Sequence, residues 1–265
     1  MKSRIFLSTL LAGWAGYAGA ADLPVYKAIT PVAPYVVPAV SWTGFYVGGH
    51  AGYGWAANGG VAVDPANAAA SNFLNTLGTP GSLDASAKGV VGGGQFGYNQ
   101  QFGAFVLGVE ALVDATNMSS SASQLASAMV GKTMTQAALM SGTRIDWDDA
   151  LMLRAGYLVT PNILVAAVGG LAFGNISDDA AVACIVSCKL NGFSNSPSNI
   201  HTGWTLGAEI DYMVTSNIIA GLRYRYVDLG TQSFLVSAGG AVPATFNASD
   251  SARWNEATFK VDFKF

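Results

Sequence analysis

The chain has 265 residues, 51% of them hydrophobic and only 11% charged, with a formal net charge of −3 and a mean hydropathy of +0.36. Soluble domains carry about 25% charged residues, so the composition argues against an ordinary soluble globule. Nothing in it is basic enough for a nucleic-acid partner.

Residues 1–20 read as a secretory signal: Lys2 and Arg4 precede an apolar run from Ile5 to Ala15, and Ala18-Gly19-Ala20 is a small-residue cleavage site. That leader alone equally fits a soluble secreted protein. The run is too short to cross a bilayer as a helix, and the longest later apolar stretch, Ile163 to Phe173, is broken by Gly169 and Gly170. An apolar exported chain without membrane helices has one other way to live in lipid, a closed β-barrel.

Residues 21–41, with Pro24, Pro31, Pro34 and Pro38, read as an extended tail. The first predicted strand starts at Trp42, with Thr43, Phe45, Val47, Ala51, Tyr53 and Trp55 on one face and Gly44, Gly48, His50 and Gly52 on the other. Residues 56–87 read as a loop holding a short helix, with Asp64 as N-cap, Pro65 as first helical residue and Gly78 as the stop. The second strand runs from Lys88 to about Gln100, setting Val90, Phe96 and Tyr98 against Gln95 and Asn99. In the third, Phe105, Leu107, Val109, Ala111 and Val113 alternate around Glu110. Residues 115–143, rich in Ser, Ala, Thr and Met, read as a loop.

The fourth strand, Arg144 to Tyr157, opposes Trp147, Leu151, Leu153, Ala155 and Tyr157 to Asp146, Asp148 and Arg154. The fifth, Ile163 to Gly174, is apolar or glycine on both faces, so its phase stays open between Leu164 and Val165. After a loop at 175–199, the sixth strand, His201 to Tyr212, opposes Trp204, Leu206, Ala208, Ile210 and Tyr212 to Thr205, Glu209 and Asp211. The turn Val214-Thr215-Ser216-Asn217 nearly repeats Val159-Thr160-Pro161-Asn162. The seventh strand opposes Ala220, Leu222, Tyr224 and Tyr226 to Arg223 and Arg225. A last loop at 228–251 leads to Arg253–Phe265, where Phe259, Val261, Phe263 and Phe265 face away from Lys260 and Asp262.

Long and short connections alternate, and the strands are long enough to cross a bilayer when tilted. The pattern predicts an all-β fold over residues 42–265: an eight-stranded antiparallel up-and-down transmembrane barrel, short turns at one end and long loops at the other. A soluble barrel with an apolar interior is the competing architecture. The polar faces carry mixed signs, so pointed inward they neutralise one another. The predicted lumen network is His50, Glu110, Arg154, Glu209, Asp211, Arg223, Arg225, Lys260 and Asp262. An eight-stranded interior is just wide enough for such side chains, which predicts little steady conductance.

The sequence nominates no catalytic residue, cofactor or metal site. Cys184 and Cys188, the two cysteines, read as a local disulfide in an oxidising compartment. His50 and His201 lack a nucleophile elbow. Asp146, Asp148 and Asp149, beside Arg144, read as a solvated rim rather than a divalent-cation site, since no calcium-loop spacing accompanies them.

The leader followed by A-A-D-L-P, the Pro-rich stretch, W-T-G-F-Y-V-G-G-H-A-G-Y-G-W, G-W-T-L-G-A-E-I-D-Y and Y-R-Y-V-D-L-G, with the aromatic final strand, resemble the small outer-membrane immunogenic proteins of Gram-negative bacteria. Members of that family are similar to the eight-stranded transmembrane domain of outer-membrane protein A. Eight strands put both termini on the short-turn side, so the tail is expected to be periplasmic and the loops extracellular; the expected role is structural, surface-exposed and non-enzymatic. The resemblance implies a monomeric or weakly oligomeric barrel of the cell outer membrane. It implies outer-membrane lipids and lipopolysaccharide as partners, and insertion by the barrel-assembly machinery, which reads the last strand; Phe259, Val261, Phe263 and Phe265 are the corresponding assembly signal. The alternative is a surface binding module whose long loops grip a host component, haem, another small molecule or lipopolysaccharide. A porin-like channel and a lipid-modifying enzyme stand further off.

Overall fold

A computed structural model describes residues 40–57, 61–77, 82–83, 86–130, 132–186, 193–195, 198–238 and 244–265. The expected signal, most of the Pro-rich tail, the helix stop at Gly78 and Cys188 lie outside these residues. The strands are β1 (Gly44–Ala56), β2 (Val61–Pro65), β3 (Ser82–Leu83), β4 (Lys88–Phe102), β5 (Phe105–Val130), β6 (Thr133–Thr160), β7 (Ile163–Val186), β8 (Phe193–Asn195), β9 (Ser198–Met213), β10 (Ile218–Ala238) and β11 (Ala244–Lys264). Among the described residues one helix, α1 (Ala68–Leu77), lies between β2 and β3.

The long strands pair in the order β1-β4-β5-β6-β7-β9-β10-β11, and β11 closes on β1 from Tyr46↔Lys264 to Ala56↔Trp254. This is an eight-stranded antiparallel barrel. Its driving pattern is period two: along β11, Phe259, Val261, Phe263 and Phe265 are exposed while Thr258, Lys260, Asp262 and Lys264 are buried. The apolar residues therefore coat the outer wall and the charged ones fill the interior, as a lipid-embedded barrel requires. Short turns join β4 to β5, β6 to β7 and β9 to β10. In the first of these Gly103 takes φ +63°, the left-handed conformation that a two-residue hairpin turn demands.

Pairing with β9 settles the phase of β7. Val165 lies opposite Ile210 on the outer wall, whereas Leu164, Ala166, Val168, Ala172 and Ile176 are buried inside.

Three expectations need correction. The segments 115–143, 175–199 and 228–251 are largely strand, not loop. β5 and β6 remain paired as far as Val130↔Thr133, β7 runs to Val186, and β10 and β11 remain paired to Ala238↔Ala244. Register inherited from the barrel carries these hairpins on through small polar residues. The helix cap is also displaced. Asp64 and Pro65 belong to β2, opposite Asn247 and Phe246 of β11. Asn67 caps α1 instead, its Oδ1 accepting the Ala70 N–H at 2.9 Å. Thirdly, Asp148 is not on a solvated rim. It is wholly buried, and a register shift between Ile145 and Trp147 leaves Asp146 exposed while Asp148 points inward.

Candidate functional site: a charged network in the barrel interior

The interior is stratified. At the short-turn end Trp42, Val106, Leu164, Met213 and Ile219 form a buried apolar cluster, and the Trp42 indole donates to the Pro161 carbonyl at 3.0 Å. At the hairpin end Val91, Met118, Ile145, Ile176, Val227 and Trp254 form a second. Beyond it, Ala70 and Leu74 of α1 pack on Ala244 and Phe246 of β11.

Between the two clusters lie the charges. Glu209 is the hub of the first group. It accepts from Arg223 Nε at 2.5 Å and from Lys260 Nζ at 2.9 Å, and forms an ion pair with Arg154 Nη2 at 3.0 Å. Arg223 faces Glu209 directly across the β9–β10 ladder and also binds Glu110, which accepts the Tyr46 hydroxyl at 2.6 Å. Arg154 binds Asp211, and Lys260 lies 3.2 Å from Asp211 and 3.6 Å from Asp262.

Arg225 is the hub of the second group. Its Nη2 lies 2.6 Å from Glu256, 3.0 Å from Asp114 and 3.0 Å from Asp148. Trp254 donates its indole N–H to the other Glu256 oxygen at 2.6 Å. His50 links the groups: one ring nitrogen is 2.6 Å from Asp114 Oδ1 and the other meets Gln95 Oε1, while Gln95 donates to Asp262 at 2.5 Å.

The side chains from His50 to Asp262 that period two places inside thus meet in one continuous network. Sequence reading passed over Tyr46, Gln95, Asp114, Asp148, Trp254 and Glu256 as members. Each carried a usable signal. Tyr46 shares parity with His50, Asp114 with Glu110, Asp148 with Arg154, and Trp254 and Glu256 with Lys260. Gln95 was set on the polar face without a role.

Room for the long side chains comes from small inward neighbours. Gly48 lies opposite Asp262, Gly93 opposite Asp114, Gly97 opposite Glu110 and Gly221 opposite Asp211. At Gly48 a Cβ would collide with Asp262 and the Val261 carbonyl.

Asp114, Asp148 and Glu256 bring ligand atoms within 4.8 Å of one another, the grouping able to hold a metal ion. The Arg225 guanidinium already contacts each of the three, so the protein supplies its own cation there. His201 is buried on β9 opposite Gly174. Cys184 lies in β7, and its expected partner Cys188 is outside the described residues.

Residues 15–265 match the family described as outer membrane protein beta-barrel domain. The chain belongs to this outer-membrane β-barrel family. It is 34% identical over 242 residues to the 31 kDa outer-membrane immunogenic protein of Brucella melitensis, covering 89% of this chain and 90% of that one. To the 25 kDa outer-membrane immunogenic protein of Brucella abortus it is 26% identical over 234 residues, covering 88% and 87%. Among solved structures it is similar to the outer membrane protein OprG from Pseudomonas aeruginosa, with 12% identity, a TM-score of 0.45, and coverage of 84% of this chain and 96% of that one. The small Gram-negative outer-membrane family suggested by the strand motifs is therefore the one to which this barrel belongs.

Proposed function

We propose that this outer-membrane barrel is a structural, surface-displayed, non-enzymatic protein with a sealed lumen and little steady conductance. The observation that carries the reading is the interior itself: a continuous ion-paired network between two buried apolar clusters. A solute crossing it would have to part Arg223 from Glu209 and Glu110, or Arg225 from its three carboxylates, each a costly separation of buried charge. Among the described residues the ring nitrogens of His50 meet Asp114 and Gln95, and no hydroxyl or thiol. Family membership supports the tail on the periplasmic side, the hairpins outside the cell, and Phe259, Val261, Phe263 and Phe265 as the strand read by the assembly machinery. Planar-bilayer recording tests the sealed lumen: closed traces with rare transitions are expected, and a large, stable open conductance would overturn it.

A second reading is a surface binding module. The paired hairpins carry exposed Leu125, Met129, Met134, Met140 and Leu235, apolar side chains suited to a host component, haem or a glycolipid. A hairpin-shortened variant that folds normally yet loses cell or ligand binding would favour this reading over a purely structural one.

A further inference from the structure

The outer wall changes chemistry along one cross-strand row. On β5 the outward residues Phe105, Leu107, Val109, Ala111, Val113 and Ala115 form an exposed, wholly apolar column. Ten strand steps of about 3.4 Å tilted by about 40° give it a height of about 26 Å, the apolar band of an outer-membrane barrel. Four residues on, about 10 Å higher by the same arithmetic, comes Ser119. Its ladder partners are Lys88 on β4 and Arg144 on β6. All three are exposed on the outer wall. Lys88 is flanked on the other side by Trp55 of β1, also outward and 38% exposed, an aromatic of the kind that sits at the membrane–water boundary.

Lys88 and Arg144 are thus two strand spacings apart, about 10 Å, with a hydroxyl between them. Their long stems let both charges converge above Ser119 or bend down toward the headgroup layer. Neither forms an ion pair among the described residues, although Asp146 and Asp179 are exposed nearby. Arg253, the partly exposed cation on β11, is by contrast held by Asp228 at 3.0 Å. Two unneutralised cations around a serine, directly above a hydrocarbon-facing column, match an anionic headgroup whose acyl chains lie against that column.

We propose that Lys88, Ser119 and Arg144 form an outer-wall site for the phosphate of a membrane lipid, with its acyl chains on the column of Val90, Val113 and Leu151 below. The site rests on the membrane placement of the barrel and not on the sealed lumen, so lipid retention and conductance fail separately. The test uses the purified full chain, folded in detergent micelles, with dioleoyl phosphatidic acid as probe. Dioleoyl glycerol, which has the same chains without the phosphate, is the comparison. Native mass spectrometry reads the retained lipid. The expected preference for the phosphate-bearing lipid is about tenfold, the equivalent of one charge-assisted hydrogen bond.

Lys88→Gln with Arg144→Gln should abolish that preference while leaving heat-modifiable gel migration unchanged. Lys132→Gln, at the far tip of the β5–β6 hairpin, should keep it. Excess inorganic phosphate should not displace the lipid. Equal preference in the wild type and the double glutamine variant would overturn the site. Displacement by inorganic phosphate alone would show a free-phosphate site and overturn the lipid assignment. If the double variant fails to fold, Lys88→Glu alone provides the reading: it should reverse the preference, and an unchanged one would refute the proposal.

Discussion

Arg225→Leu is the sharpest perturbation of the interior. In the folded barrel this one guanidinium faces Glu256 at 2.6 Å, Asp114 at 3.0 Å and Asp148 at 3.0 Å, all fully or almost fully buried. Removing it leaves those carboxylates within 4.8 Å of one another with no cation among them. Breaking a buried ion pair from one side costs about 3–5 kcal/mol, and here a single deletion strands three acids, so the upper part of that range is expected. With a urea dependence of about 2 kcal/mol per molar, the unfolding midpoint in lipid vesicles should fall by about 2 M. The companion variant adds Asp148→Asn and Glu256→Gln. It leaves Asp114 as the remaining acid of the three, still 2.6 Å from His50, and should recover more than half of the loss. The reasoning fails if Arg225→Leu unfolds at the wild-type midpoint, or if the companion is no more stable than the single variant. Either result would mean the network is hydrated and screened rather than dry.

Further tests probe the wall, the packing and the cap. Phe265→Asp should lower membrane yield far more than Lys264→Asp, because Phe265 is 67% exposed on the outer face beside Phe263 while Lys264 is buried inward near the Thr43 carbonyl; equal yields would contradict that phase. Gly48→Leu should remove the heat-modifiable folded band, since a side chain there collides with Asp262 and the Val261 carbonyl, whereas Gly49→Leu, whose Cβ meets only the Gly93 carbonyl at 3.6 Å, should be tolerated. Asn67→Ala should cost about 1 kcal/mol locally and raise amide exchange across α1 without moving the barrel midpoint. Unchanged exchange in α1 would show that the cap contributes nothing.

Period two made the barrel wall legible because lipid and lumen are opposite environments on the two sides of every stave. The same parity placed His50, Glu110, Glu209 and Lys260 on the inner face, and extending it to Tyr46, Asp114 and Glu256 needed only consistent counting. Pairing was not legible in the same way. That Arg223 meets Glu209, and that Arg225 gathers acids from β5, β6 and β11, depends on register and barrel stagger, which no single strand encodes. Strand β7 hid its phase for a physical reason: its inward residues fill the lumen next to the apolar clusters, so Leu164 and Val165 are equally apolar though only one meets lipid. At Asp146 parity failed outright, because the register shift between Ile145 and Trp147 reverses the alternation: Asp148 keeps the inward phase of Arg154, and Asp146 does not.

The hairpins were misread for the reason that exposes the basic row. Above the hydrocarbon the outer face of a strand meets water, so it no longer has to be apolar, and the contrast between faces that announces a strand disappears. From Ala115 to Gly131 the sequence holds no charge and is mostly Ser, Ala and Met, a composition that suits a loop as readily as a ladder. The register of the barrel below decides between them, since β5 and β6 are already aligned when they leave the membrane and every second further pair adds two backbone hydrogen bonds without a new closure cost. Where the apolar column ends, the next outward residues are free to serve water or headgroups. Asn117 and Ser119 follow Ala115, and Lys88 follows Val90. A loss of alternation in such a chain therefore marks the edge of the lipid rather than the end of the strand, and Lys88 and Arg144 stand just beyond that edge, where the proposed phosphate site lies.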